Sequence, residues 1–104
     1  VTKGVKGLSP AQAKRVKTID NIIDENAKPH DFLGVAKELK GIKTGFDHVT
    51  EMKQSVIGLE KAIRGIEGSL KNPNLNTSTR STLESALQRG QSTLDRMRTT
   101  LNGG

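Results

Sequence analysis

The stretch Thr44-Gly45-Phe46-Asp47-His48-Val49-Thr50-Glu51-Met52 gathers one of the two histidines, one of the two aromatic residues and two carboxylates of the chain. An imidazole changes its protonation state near neutral pH and can take or give a proton in a reaction. If Asp47 is a helix cap, His48 is the first residue of the helix. Glu51 then stands three residues on along the same face, where it could orient the ring or share the proton transfer. Phe46 precedes the cap and suits stacking on a base. Lys53, in the second turn, and the amides of the helix start are candidate phosphate contacts. His30-Asp31 is the other pair with chemistry in it. It also reads simply as a cap with a surface histidine beside it. Asp31 and His48 are 17 residues apart, with a short helix and a loop between them.

The elements that must place these groups are helical. Ser9 and Pro10 start a helix over about residues 10–25, with Val16, Ile19, Ile22 and Ile23 on one face. Pro29 discourages helix in the residue before it. Asp31 reads as the N-cap of a second helix carrying Phe32, Val35, Ala36 and Leu39 as far as Gly41. Gly34 inside it costs about 1 kcal/mol against Ala and points to the close approach of another backbone or a ligand. Val49, Met52, Val56, Leu59, Ile63, Ile66 and Leu70 alternate spacings of three and four, which predicts one helix over about 48–71. Gly58, Gly65 and Gly68 are its weak points. After Asn72-Pro73-Asn74, Asn76 or Thr77 caps a last helix whose stripe is Leu83, Leu87, Leu94, Met97 and Leu101. Gly90 lies on that stripe, opposite a bulky neighbour such as an aromatic ring.

These elements predict an all-α fold: a long antiparallel helical hairpin with one or two shorter helices packed against it. Residues 1–27 form a basic lead-in and an N-terminal helix, either linker or packing segment, with the apolar face of 10–25 favouring packing. Residues 28–104 form the domain proper. Asn102-Gly103-Gly104 reads as a loose end. With 104 residues, 32% of them apolar and neither Trp nor Tyr, the chain is a single small domain without a deep layered core. Its first residue is Val rather than Met, which points to a piece of something larger.

Lysine and arginine total 17 against 11 acidic residues, a net charge of +6. That balance favours an anionic partner, either nucleic acid or an acidic protein. Cysteine is absent, so disulfides and thiolate metal sites are excluded. No His-x-x-x-His pair, dense carboxylate cluster, P-loop, dinucleotide fingerprint or Gly-x-Ser-x-Gly elbow is present. Neither a signal-peptide pattern nor an apolar run of membrane-spanning length occurs.

Lys28-Pro29-His30-Asp31-Phe32, Gly34, Phe46-Asp47-His48 with Glu51-Met52, and Ser69-Leu70-Lys71-Asn72-Pro73-Asn74-Leu75 together resemble the bacterial polymorphic toxin type 28 domain. The likeness spans about residues 28–101. That domain occurs at the C-termini of CdiA-type contact-dependent growth inhibition proteins and of large secreted toxins. The resemblance implies an all-helical ribonuclease that cleaves tRNA, in the anticodon loop, with its site at Asp31, Phe46, His48 and Glu51. It implies delivery into a neighbouring cell as part of a larger secreted or surface effector, and action in that cell's cytoplasm. In the producer, a cognate immunity protein, acidic to match the charge, would neutralise it.

Two departures stand out. Phe46 replaces a tryptophan of several relatives. Some relatives also end in a Gly-Tyr-Gly-Ile-like tail that inserts into cysteine synthase, an activating partner. This chain ends Leu101-Asn102-Gly103-Gly104, which argues for intrinsic activity without that activator.

The chemistry so implied is metal-independent and needs no cofactor. RNA carries its own nucleophile, the 2′-hydroxyl, so a base and stabilisation of the phosphorane charge suffice. The products would be a 2′,3′-cyclic phosphate and a 5′-hydroxyl. The rival reading is a non-enzymatic helical hairpin, a secretion adaptor or interaction module. A helical DNA-binding protein fits less well, because no short helix-turn-helix with a polar face is present.

Overall fold

The computed structural model describes residues 8–103. They form four helices, α1 (Pro10–Asn26), α2 (Pro29–Leu39), α3 (His48–Leu70) and α4 (Thr77–Leu101), with no strand among the described residues. Among them, no helix is long and apolar enough to cross a membrane. The basic lead-in expected before Leu8 lies outside the described residues.

Helices α1, α3 and α4 start where a side chain replaces a missing intrahelical partner of the first amides. For α1, Ser9 Oγ accepts from the Gln12 amide at 3.1 Å and Gln12 Oε1 accepts from the Ser9 amide at 2.9 Å, a reciprocal capping box ahead of Pro10. Asp47 caps α3, its Oδ1 accepting from the Thr50 amide at 3.1 Å, and Asn76 caps α4, its Oδ1 accepting from the Thr79 amide at 2.7 Å. The expected cap of α2 moves. Pro29 itself is the first helical residue and Lys28 is extended at φ −81°, ψ 156°, so Asp31 falls at the third helical position and accepts the Lys28 amide at 3.0 Å. A proline preset for the helix and lacking an N–H explains the earlier start.

The hairpin of α3 and α4 is the frame. Met52, Leu59, Ile63 and Ile66 of α3 meet Leu83, Ala86, Leu94 and Met97 of α4 in one buried cluster. At the closed end Arg80 donates to the Leu70 carbonyl at 3.1 Å and to the Asn72 carbonyl at 2.8 Å, satisfying acceptors that the end of α3 leaves open. Arg98 pairs with Glu60 across the hairpin.

The first helix lies along the hairpin and runs antiparallel to α3, with Arg15 over Gly65 and Ile22 over Gly58. Its Ile19 is fully buried. Gly90 receives Ile19 and Ile63, branched aliphatic chains rather than the expected aromatic ring: a Cβ there would stand 3.2 Å from Ile19 Cδ1. Asp20 adds an ion pair to Arg89 at 3.0 Å. Residues 10–26 thus lie packed along the hairpin.

The second helix packs where α3 begins and α4 ends. Phe32 lies under the Arg96 guanidinium, 4.3 Å from ring centroid to Cζ. The chain end is tied rather than loose as far as Gly103: the Asn102 amide bonds to the Arg98 carbonyl at 3.0 Å and the Gly103 amide to the Thr100 carbonyl at 3.1 Å.

If α1 belongs to the core, Ile19→Ala should lower the stability of the chain by about 2–5 kcal/mol, read from the urea midpoint. A change under about 0.5 kcal/mol would make α1 a dispensable flank.

Candidate active site

The site forms at the junction of α2, the 40–47 loop and the first turn of α3. The α2 helix ends in a Schellman turn: the Gly41 amide reaches the Glu38 carbonyl and the Ile42 amide reaches the Lys37 carbonyl, both at 3.0 Å. Gly41 adopts φ +84°, a left-handed conformation that glycine takes without a Cβ penalty. The reversal returns the loop over the end of α2 and brings Thr44 and His48 to Glu38.

Glu38 is the hub of what results. Its Oε2 accepts from the Thr44 hydroxyl at 2.6 Å, from the His48 amide at 3.1 Å and from His48 Nδ1 at 2.6 Å, while Oε1 accepts from the Val49 amide at 3.0 Å. These donors hold the carboxyl well below its usual range, from 4.5 to about 2, the Thr44 hydroxyl contributing most, followed by the His48 ring and the Val49 and His48 amides. Partial burial works in the opposite direction.

The His48 ring lies on Gly34. A Cβ at Gly34 would stand 2.7 Å from His48 Cγ and 2.8 Å from Nδ1, so only glycine leaves room for the imidazole. The close approach expected at Gly34 is thus made by a side chain from α3. Phe46 meets the ring edge-on, centroids 5.7 Å apart, and is itself 74% exposed. The far nitrogen of His48, Nε2, has no partner among the described residues and is not sealed from solvent.

Glu51 is exposed, and its carboxylate makes no hydrogen bond or ion pair among the described residues. Orientation of the ring falls to Glu38, and Glu51 stands unengaged one turn beyond His48. Asp31 is mostly covered, accepts the Lys28 amide at 3.0 Å and has His30 Nε2 3.3 Å from its Oδ1. Helical spacing puts Asp31 and Glu38 on either side of Gly34 along one stripe of α2, three residues before it and four after. Lys53 is exposed and unpaired, roughly 140° around α3 from His48 at 100° per residue.

One expectation fails here. The amides at the start of α3 are already used: Glu38 takes those of His48 and Val49, Asp47 Oδ1 takes that of Thr50, and the Asp47 carbonyl takes that of Glu51 at 3.2 Å. The protein's own carboxylates occupy the place where a phosphate would bind. Any phosphate must be met by side chains. Among the described residues, no group of three or more His, Asp or Glu side chains is arranged to hold a metal ion.

Glu38 and Thr44 are the residues that local sequence reasoning passes over. A faint signal existed: a carboxylate in the last turn of α2 opposes that helix's dipole and calls for a positive partner elsewhere.

Two outcomes follow from this geometry. Gly34→Ala should destabilise the chain despite its helix-propensity gain of about 1 kcal/mol. Gly68→Ala, with nothing within 4 Å of the new Cβ, should stabilise it by up to that amount, both read from urea midpoints. The depressed carboxyl of Glu38 contributes stability that is complete above pH 4.5 and lost as pH falls toward about 2. In an acid titration of stability, Glu38→Gln should lack that portion of the pH dependence.

No curated protein matches the chain. The family described as Bacterial toxin 28 matches residues 7–103, a longer span than the 28–101 of the sequence resemblance and one that takes in all of α1. The match covers nearly the whole chain, and the chain belongs to the bacterial toxin 28 family.

Proposed function

We propose that this domain is a metal-independent endoribonuclease that cleaves tRNA, in the anticodon loop, from the site around His48. The observation that carries the reading is the arrangement of the imidazole: Nδ1 anchored on Glu38, Nε2 unpartnered and not sealed from solvent, an unpaired Glu51 one turn on and an exposed Phe46 at its edge. Membership of a bacterial toxin family supports it, because such domains imply delivery to other cells and a cognate immunity protein.

His48 Nε2 and a neighbouring carboxylate divide the proton transfers. One takes the proton of the 2′-hydroxyl as it attacks the adjacent phosphorus, and the other protonates the departing 5′-oxygen. We assign the carboxylate role to Glu51, on the helical face of His48, or to Asp31, on the α2 stripe that carries Gly34. Phe46 stacks on a base flanking the cut. Lys53, unpaired on the same helix, contacts the phosphodiester chain, a role the occupied helix-start amides cannot fill. The net charge of +6 draws both the RNA and an acidic immunity protein.

A second reading, an interaction module without catalysis, draws on Leu33, Leu39, Ile42 and Ile57, apolar side chains that are about half exposed. The two readings part on one comparison of total RNA from cells briefly expressing the wild-type chain or His48→Ala. The nuclease produces discrete tRNA fragments, reduced roughly 10²–10⁴-fold in the variant, and cleavage by purified protein survives EDTA. Intact RNA with both proteins, soluble and folded, would favour the module. Cleavage abolished by EDTA and restored by a divalent metal would remove the metal-independent mechanism.

A further inference from the structure

We propose that Glu38 is a positioning residue that, together with Thr44, fixes His48 in the tautomer protonated on Nδ1, leaving the lone pair on the unpartnered Nε2. The catalytic half of this inference rests on the nuclease reading above; the tautomer half does not. The argument begins with the acceptors. A carboxylate has no proton to give, and Oε2 and Oε1 of Glu38 also receive the His48 and Val49 amides, both of which are obligatory donors. A 2.6 Å approach of Nδ1 to such an oxygen is attractive only if Nδ1 carries hydrogen.

Thr44 could in principle reverse the assignment, since its hydroxyl lies 3.1 Å from Nδ1. It has a single proton to donate. Its acceptors are Glu38 Oε2 at 2.6 Å and the Phe46 carbonyl at 3.0 Å, of which the closer, charged carboxylate takes the proton, and the hydroxyl oxygen in turn receives the Phe46 amide at 3.4 Å. Donation from Thr44 to Nδ1 would leave an imidazole lone pair facing a carboxylate oxygen at 2.6 Å. The strongly acidic carboxyl of Glu38 agrees, because it keeps the acceptor ionised wherever the toxin could work. Gly34 closes the arrangement from the other side: the ring rests on its backbone.

The tautomer decides function because only an unprotonated Nε2 can accept a proton from substrate, and Nε2 is the ring nitrogen that Glu38 leaves unengaged. Glu38 touches no substrate in this scheme. It acts through His48, as the buried carboxylate does through the histidine of a hydrolase triad.

The test is the nitrogen-15 spectrum of His48, assigned through long-range proton–nitrogen correlations at a pH alkaline enough for a neutral imidazole. The wild type should show a protonated Nδ1 and an unprotonated Nε2. Glu38→Gln can retain an acceptor for the Val49 amide while turning its NH2 toward Nδ1, and should shift the population toward the Nε2–H form. In RNA cleavage the same variant should lose roughly 10²-fold or more in kcat with KM little changed.

A wild-type ring protonated on Nε2, or a variant with an unaltered tautomer, would overturn the proposal. A shifted tautomer with unimpaired cleavage would overturn the positioning role. If the wild type does not cut RNA while its resonances read as expected, the nuclease reading falls and the tautomer assignment stands. The wild-type spectrum decides the assignment by itself if Glu38→Gln does not fold.

Discussion

The carboxylate of Glu38 at the start of α3 is the contact on which this end of the molecule depends. It replaces the missing partners of the His48 and Val49 amides, takes the hydroxyl of Thr44 and takes the ring of His48. In its own helix the residue is badly placed, since a negative charge in the last turn faces the negative end of the dipole. The positive end of α3 compensates at close range. One interaction thus stitches α2 to α3, closes the loop between them and orients the imidazole. Loss of the carboxylate would be felt in stability and in chemistry together.

The rest of the fold supplies the rigidity this junction needs. A chain of this size, with few aromatics, builds its core as one continuous seam: α1 laid along a long hairpin, with Ile19, Leu59, Ile66, Leu83 and Met97 fully covered. Its principal extents of 51 × 26 × 16 Å follow from that economy, and the site lies where α2 packs against the start of α3. There the polar groups converge over Gly34, while Phe46 projects into solvent beside them.

Features that repeat along a helix, or act within one turn, are legible in the amino-acid sequence. The three-and-four spacing from Val49 to Leu70 marked α3, and the caps Ser9, Asp47 and Asn76 act where their types suggest. Asp31 acts three positions from the expected place because Pro29 opens the helix first. Glu38 lies ten residues before His48, and only the Schellman turn at Gly41 brings the two together, so no local pattern exposes the pair. Gly34 announced a close approach without revealing what approached. The use of the α3 amides by Glu38 was hidden for the same reason, which is why a phosphate could be assigned to them from sequence.

The central claim is that this site cuts RNA through the RNA's own 2′-hydroxyl. The most direct measurement is cleavage by the purified chain of a tRNA anticodon stem-loop, with product ends identified by mass spectrometry, alongside the same substrate carrying a single 2′-O-methyl group on the nucleotide 5′ to the cut. The account predicts a 2′,3′-cyclic phosphate and a 5′-hydroxyl from the unmodified RNA, and no cleavage at the blocked position. Products ending in a 3′-hydroxyl and a 5′-phosphate, or undiminished cleavage past the methyl group, would contradict it.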